Sequence, residues 1–210
     1  IPFLGPEAFA ILQTGTPVSE ARISVVSAGT GLGQAFLIPE QNGKYTIMDS
    51  EGGHYDFPPR NELEAELLFF LQKKYSRVSI ERVLSGPGLL DVYKFFLTKH
   101  AEHEAVDFPA TIVDRAIAKA CPVCEKTVEL FISLYGALAG NLALQYLSKG
   151  GVYLGGGIAP KILPFLQEGG FMQAFLAKVR FEKYLSEIPV KVVMDESAPL
   201  LGAAQYALVL

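Results

Sequence analysis

The sequence of 210 residues predicts an α/β domain around a mixed five-stranded sheet, three strands antiparallel and two parallel, with a helical insert between the two sets. Two observations predict this class. Three strand-like runs near the beginning are joined by turns too short for a crossover connection, which makes them antiparallel. The last third alternates strand-like and helical runs, as parallel strands with covering helices do.

The antiparallel strands are predicted within the first fifty residues. Residues 1–20 are rich in Pro and Gly and are interpreted as a lead-in, with one helical turn near residues 6–12. The three strand-like runs are residues 23–28, 34–39 and 44–49.

A helical period begins after the third strand. Asn61 and Glu64 have the spacing of a capping box, and an apolar stripe follows them. The other helices of the insert are predicted as a short one that starts at Ser79 and ends at residues 86–88, two over about 89–103 and 111–120, and a long one from Pro122 that stops at residues 149–151.

The final third is predicted to add the two parallel strands. Residues 151–154 and 189–194 are strand-like, and they alternate with helices over residues 160–167, 170–186 and 199–208. The complete element order resembles that of the ribonuclease-H-like (actin/hexokinase-type) domain.

Charge and composition exclude several classes. Lys+Arg 18 against Asp+Glu 22 gives a net charge of −4, so nucleic acid is not an expected partner, because phosphate binding needs a basic surface. Half of the residues are hydrophobic, which excludes a disordered chain. No secretion signal is visible, and because the sequence opens with Ile1, we expect either a removed start or a piece of a longer chain.

One segment has nearly the length and polarity of a membrane span. Residues 130–148 carry no charge. Their amides, hydroxyls and small residues would sit poorly in lipid, so we interpret them as a buried central helix of a soluble protein and expect no membrane partner.

Residues 29–33 are the first candidate ligand site. Their glycines would let backbone N–H groups approach phosphate oxygens, and the Thr30 hydroxyl adds a donor. The turn matches neither a dinucleotide fingerprint nor a Walker A loop, since both of those lead into a helix and this turn leads into a strand. A phosphate clasp and an ordinary glycine hairpin both stay open.

A second glycine turn, at residues 155–157, lies between a predicted strand and a helix. Its backbone could contact a flat ligand and the helix N-terminus favours anions, with a plain strand-to-helix turn as the alternative. Because both glycine turns follow strands of one sheet, together they favour a nucleotide cleft.

The loop after the third strand presents a carboxylate and an imidazole. Glu51 and His54 flank Gly52 and Gly53, and such a pair can hold sugar hydroxyls. One Glu and one His make a poor metal site, and a solvated turn is the alternative.

Five further polar residues are interpreted as structural or as surface groups. His100 and His103 lie among charges at a predicted helix end, and Glu81 lies in a first helical turn. Cys121 and Cys124 have redox or zinc half-site spacing, but they join two helices and have no second pair.

Six segments, taken together, resemble the bacterial glucokinase family of the actin/hexokinase superfamily of sugar kinases. The resemblance covers essentially the whole chain. The segments are residues 27–33, 51–57, 81–89, 140–144, 155–160 and 200–203, in the same order.

The resemblance implies ATP-dependent phosphorylation of glucose at its 6-hydroxyl. It implies that Mg²⁺ accompanies ATP and that the protein works as a homodimer in the cytoplasm. The residues it implies in sugar binding are Glu51, Gly52, Gly53, His54 and Glu81, and those in nucleotide binding are Gly29, Thr30, Gly31, Gly155 and Gly156.

The chain departs from the family pattern at its beginning. Family members start with a smaller domain that ends with the aspartate that takes the proton from the sugar hydroxyl, and residues 1–20 contain no Asp. We therefore expect residues 1–20 to lead in from a missing small domain, residues 21–210 to be the large C-terminal domain, and the catalytic base to lie upstream of Ile1.

Without that base the chain alone is predicted to be inactive. Asp56 is interpreted as a brace for its loop and not as a replacement base. The alternative function is a catalytically inactive sugar-sensing protein of the same superfamily.

Overall fold

The computed structural model describes residues 1–100 and 105–207. Within them six strands form one sheet: β1 (Phe9–Gln13), β2 (Ile23–Ala28), β3 (Leu32–Pro39), β4 (Tyr45–Ser50), β5 (Gly151–Gly155) and β6 (Val190–Val193). Their order across the sheet is β1-β6-β5-β2-β3-β4. The pairs β2–β5 and β5–β6 are parallel and the other pairs are antiparallel, which confirms the predicted mixed sheet.

The predicted number of strands is wrong by one. The helical turn expected near residues 6–12 is a single 3-10 turn at Pro6–Ala8, and the chain then enters β1, which pairs with β6. An apolar run of this length fits a strand as well as a helical turn, so periodicity alone could not decide. Tertiary contacts decide, because the Gln13 amide donates to the carbonyls of Leu185 and Ile188 at 2.8 and 2.7 Å.

The helices are α1 (Glu62–Gln72), α2 (Gly86–Leu97), α3 (Pro109–Ile117), α4 (Pro122–Tyr146), α5 (Leu163–Gln167), α6 (Gly170–Leu176), α7 (Glu182–Ser186) and α8 (Ala198–Ala207). The N-cap half of the predicted capping box is confirmed, since the Asn61 side chain accepts a hydrogen bond from the Glu64 N–H at 2.9 Å. The Glu64 carboxylate accepts from the backbone N–H of Arg60, one residue earlier, at 2.8 Å. The helix predicted over residues 170–186 is divided into α6, a 3-10 turn and α7, because Val179 adopts a positive φ of 49°.

The prediction that residues 86–88 end a short helix is wrong. They begin α2, with the Ser85 hydroxyl accepting from the Gly88 N–H at 3.1 Å and Pro87 in the first turn. The segment after Ser79 is only a 3-10 turn, Ile80–Arg82. Glycine before a helix and glycine after one differ little in sequence, but a serine just before a Pro-containing first turn is the signal of a start.

α4 is the central helix of the protein. It is long and apolar enough to cross a membrane, but 78% of its most apolar window is buried inside the protein, which confirms the predicted buried helix. Its small residues admit α6 at close range, since a Cβ added at Gly140 would lie 2.5 Å from the Phe175 carbonyl oxygen. The Tyr135 hydroxyl donates to the Val26 carbonyl and so joins α4 to β2.

Candidate functional site

The two glycine turns lie side by side at one edge of the sheet. β2 and β5 are parallel neighbours, with Ser27 opposite Gly155, so the turns that follow them leave the sheet together. The Ile158 N–H donates to the Ala28 carbonyl at 3.3 Å and ties the second turn to the first. The carboxyl ends of parallel strands are where open α/β sheets bind ligands.

The glycines in these turns are present for different reasons. Gly156 has a φ of +80°, and a Cβ there would overlap the Ala28 carbonyl oxygen, so the fold itself requires glycine. At Gly29 a Cβ would meet nothing within 4 Å and φ is not positive. The fold therefore gives no reason for glycine at Gly29, and the close approach of a ligand to the backbone would give one.

A cleft of about 540 Å³ opens beside the second turn. This volume is within the usual range for small-molecule sites. Its walls are residues 155–157, the ends of β2 and β6 and the start of α8. At its mouth the Ser197 hydroxyl and N–H bind the Asp195 carboxylate and hold the pKa of Asp195 below its usual range.

The loop after β4 buries its backbone and exposes its side chains. Gly52 and Gly53 are buried, whereas the Glu51 side chain is 94% exposed and that of His54 is 55% exposed. The Glu51 Oε2 and His54 Nε2 atoms lie 3.6 Å apart. A loop that is fixed by its backbone and presents two polar groups outwards is suited to binding a polyhydroxylated ligand.

Glu81, which the family resemblance assigns to sugar binding, contacts the first glycine turn. Its carboxylate accepts a hydrogen bond from the Leu32 N–H at 3.0 Å, and Gly86 N–H donates to the Gly29 carbonyl at 2.8 Å. The 3-10 turn that carries Glu81 is therefore bound directly to the first glycine turn. A Cβ at Gly31 would lie 2.7 Å from this carboxylate, so a larger residue there would displace the Glu81 side chain.

Arg77, which the sequence reasoning missed, holds the Glu51–His54 loop from behind. Its Nε donates to Asp56 Oδ1 at 2.7 Å and its Nη2 donates to the His54 carbonyl at 2.9 Å. Asp56 thus braces its loop, in agreement with its interpretation. No sequence signal marks Arg77, because the contact spans 21 residues and has no periodic pattern.

Gln34 was also missed. It lies on β3 below the loop with its amide nitrogen and oxygen buried and without a hydrogen-bond partner, and a Cβ at Gly52 would overlap its side-chain oxygen. The alternation of β3 places Gln34 on the same buried face as Leu32, and this period was a usable signal.

The cysteines and His100 lie outside this site. Cys121 Sγ accepts from the Cys124 N–H at 3.3 Å and caps α4, and burial raises the pKa of the Cys124 thiol to about 12. The structural interpretation of both cysteines is confirmed. His100 Nε2 lies 3.1 Å from Lys126 Nζ near the surface, and His103 lies outside the described residues.

The fold and the edge of the sheet together define a class. A mixed sheet of this order, with α4 packed against β2 and two glycine turns at the ends of parallel strands, is the ribonuclease-H-like domain of actin/hexokinase-type sugar kinases. The sequence profile described as Glucokinase matches residues 1–209. The chain belongs to the glucokinase family.

Relatives in sequence and structure agree with this family. The chain is 41% identical to a glucokinase of Synechocystis sp., over 97% of this chain and 64% of that protein, and 38% identical to one of Shigella dysenteriae, over 98% and 64%. A glucokinase from an Antarctic psychrotroph superposes with a TM-score of 0.88 at 33% identity, over 97% of this chain and 63% of that one. The chain thus spans slightly less than two thirds of these relatives.

Two more distant structures share the fold and were solved with ligands. A Balamuthia mandrillaris glucokinase in complex with glucose superposes with a TM-score of 0.76 at 24% identity, over 85% of this chain and 51% of that one. A ROK-family glucokinase from Streptomyces griseus in complex with glucose and AMPPNP superposes with a TM-score of 0.62 at 20% identity, over 90% of this chain and 61% of that one.

Proposed function

We propose that this chain forms the glucose- and ATP-binding large domain of a glucokinase, which transfers a phosphoryl group from ATP to the 6-hydroxyl of glucose. One observation carries the proposal. The Leu32 N–H binds Glu81, and the Leu32 carbonyl lies directly against Gly53 of the Glu51–His54 loop. A single residue at the end of the first glycine turn therefore joins the candidate sugar groups to the candidate phosphate groups.

On the sugar side, Glu51 and His54 would bind hydroxyls from the loop after β4. Glu81 would reach the sugar from the opposite side while its second oxygen keeps the Leu32 contact. Carboxylates accept hydrogen bonds from hydroxyls, and an imidazole can donate or accept one. These three groups can therefore bind several hydroxyls of one sugar ring. Glucose in complex with the Balamuthia mandrillaris relative supports this substrate.

On the nucleotide side, the N–H groups of Thr30 and Gly31 would bind phosphate, and Gly155 and Gly156 would contact adenosine. The Gly29 N–H donates to the Gly31 carbonyl at 2.9 Å, so Gly29 would contribute by letting the phosphate approach the backbone. The cleft beside the second turn supplies the volume. AMPPNP in the Streptomyces griseus relative supports ATP as the donor. Among the described residues no cluster of three His, Cys, Asp or Glu side chains could hold a metal ion, so Mg²⁺ would come with the phosphates of ATP.

The catalytic base would come from a small N-terminal domain that precedes Ile1, with residues 1–20 leading from it into residues 21–210. The exposure of α8 supports a further domain, since none of its described residues is buried and Leu200 and Leu201 are 75% and 46% exposed. We further propose a homodimer in the cytoplasm, on the resemblance to the family alone.

Glucose binding to the 210-residue chain tests the sugar side. Titration calorimetry should detect binding, and Glu51→Gln should weaken it about tenfold, because a neutral amide replaces a charged acceptor. Glu125→Gln, on the first turn of α4, is the matched control and should leave the affinity unchanged. Equal affinities of the wild type and Glu51→Gln for glucose would contradict the proposal that the Glu51–His54 loop binds the sugar.

Nucleotide binding separates the kinase from the sugar-sensing alternative. Gly29→Ala should weaken AMPPNP binding about tenfold or more without lowering the melting temperature, because the added methyl group meets no protein atom but occupies the space of the phosphate. Gly202→Ala, which also meets nothing within 4 Å, is the control. A wild-type chain that binds glucose but no AMPPNP would favour the sensor.

A further inference from the structure

A second groove lies behind the Glu51–His54 loop. Its volume is about 320 Å³, and it is bounded by residues 55–60 on one side and by α4 and Lys178 on the other. Glu51, His54, Glu81 and both glycine turns are absent from its lining. The groove is therefore separate from the proposed sugar and nucleotide sites, although one wall continues from the sugar loop.

The floor of this groove is apolar. Phe57 and Ile80 come from the loop side, and Leu134 and Leu138 come from α4, and all four side chains are buried. Tyr55, at the rim, is about half exposed. Such a floor favours an apolar or aromatic body of ligand size.

The end of the groove carries a partly buried ammonium group. Lys178 Nζ donates to Asn141 Oδ1 at 2.6 Å and to the Ala137 carbonyl at 3.3 Å, and both acceptors are neutral. Gly140 makes this placement possible, since a Cβ there would lie 3.1 Å from Lys178 Cε. Burial, followed by the charge of Arg60, lowers the pKa of Lys178.

The other charges around the groove are already paired. The Arg60 guanidinium donates a hydrogen bond to the fully buried Glu64 carboxylate at 2.5 Å and another to the Ser133 hydroxyl. Asp56 is bound by Arg77. Among the described residues no carboxylate lies within ion-pair distance of Lys178. A cation that is partly withdrawn from water and has no counter-charge is unfavourable unless an anion binds it.

We propose that this groove is a binding site for a small organic anion, with a carboxylate or phosphate group at Lys178 and Asn141 and an apolar body on the floor formed by Phe57, Leu134 and Leu138. The positive charge of Lys178 favours an anionic group, and the apolar floor favours an apolar or aromatic body. A ligand there contacts Tyr55 and Asp56, which directly follow His54, so it would also support the sugar loop.

Calorimetric titration of the 210-residue chain with phenyl phosphate, benzoate, phenol and inorganic phosphate tests this site. Phenyl phosphate or benzoate should bind at least about tenfold more tightly than phenol and than inorganic phosphate. Only these two compounds combine an anionic group for Lys178 with an aromatic ring for the apolar floor. Which of the two binds more tightly distinguishes a phosphate from a carboxylate ligand. Equal binding of phenol and both anions would overturn the proposal.

Lys178→Met keeps the apolar stem against Gly140 and removes the charge, so it should weaken anion binding about tenfold. Lys183→Met, on α7 outside the groove, is the matched control and should leave the anion affinity unchanged. Gln145→Glu places a carboxylate in the lining without altering the floor and should also weaken binding, which keeps the test decisive if Lys178→Met does not fold. Unchanged anion affinity in the folded variants would overturn the proposal.

Discussion

The 210-residue chain should release no ADP above background with ATP and saturating glucose, whereas the same chain joined to the N-terminal part of the Synechocystis relative should phosphorylate glucose. The chain spans 64% of that relative, and the part to be joined is the one that we propose precedes Ile1. The expected difference is on the order of 10⁴-fold or more, because we propose that the general base and the opposite wall that positions the phosphoryl group belong to the part upstream of Ile1.

The physical reason lies in the exposed edge of the sheet. Glu51 and His54 present their side chains to solvent, and the cleft beside residues 155–157 is open. Phosphoryl transfer depends on positioning and on charge stabilisation away from water, and one wall of a cleft can bind substrates without providing either.

The matched control is the joined chain with Glu51→Gln, which should retain nucleotide binding and lose most of its turnover. Circular dichroism of both proteins shows that each is folded. Turnover by the 210-residue chain alone would contradict the proposed location of the base upstream of Ile1. A folded joined chain that binds glucose and remains inactive would contradict the kinase proposal and favour the sensor.

The sequence patterns predicted the elements that local rules determine. The N-cap at Asn61 and the burial of α4 were confirmed, and the three antiparallel strands differ from the prediction only at their ends. These depend on hydrogen-bonding and apolar spacing within a few residues, which a sequence displays directly.

The errors lie where distant contacts decide. β1 is a strand because β6 and two carbonyls more than 170 residues away fix it. The contact of Glu81 with Leu32 was no error but was not predicted either, since it spans 49 residues and cannot be read from the position of Glu81 in a first turn. The residue types of the candidate site were predictable, but the backbone of Leu32 as the link between its two halves was not.

That link makes Gly53→Ala the substitution with the largest expected effect on the site itself. A Cβ at Gly53 would overlap the Leu32 carbonyl oxygen and lie 3.1 Å from its carbon, and backbone cannot move aside as a flexible side chain can. The loop must leave β3, so we expect a loss of about 2–3 kcal/mol in the free energy of unfolding. Glucose binding should fall below detection, because Glu51 and His54 move with the loop.

Urea unfolding and glucose titration of the same preparations separate the two effects. Gly157→Ala is the matched control, since a Cβ there meets nothing within 4 Å, and its unfolding free energy should stay within about 0.5 kcal/mol of the wild type. If Gly53→Ala is as stable as the control but no longer binds glucose, contacts other than that of Gly53 with Leu32 stabilise the loop. The substitution then acts only by changing the positions of the sugar-binding groups. If it retains both stability and binding, the contact between Gly53 and Leu32 does not position the sugar groups, and the two halves of the site are independent.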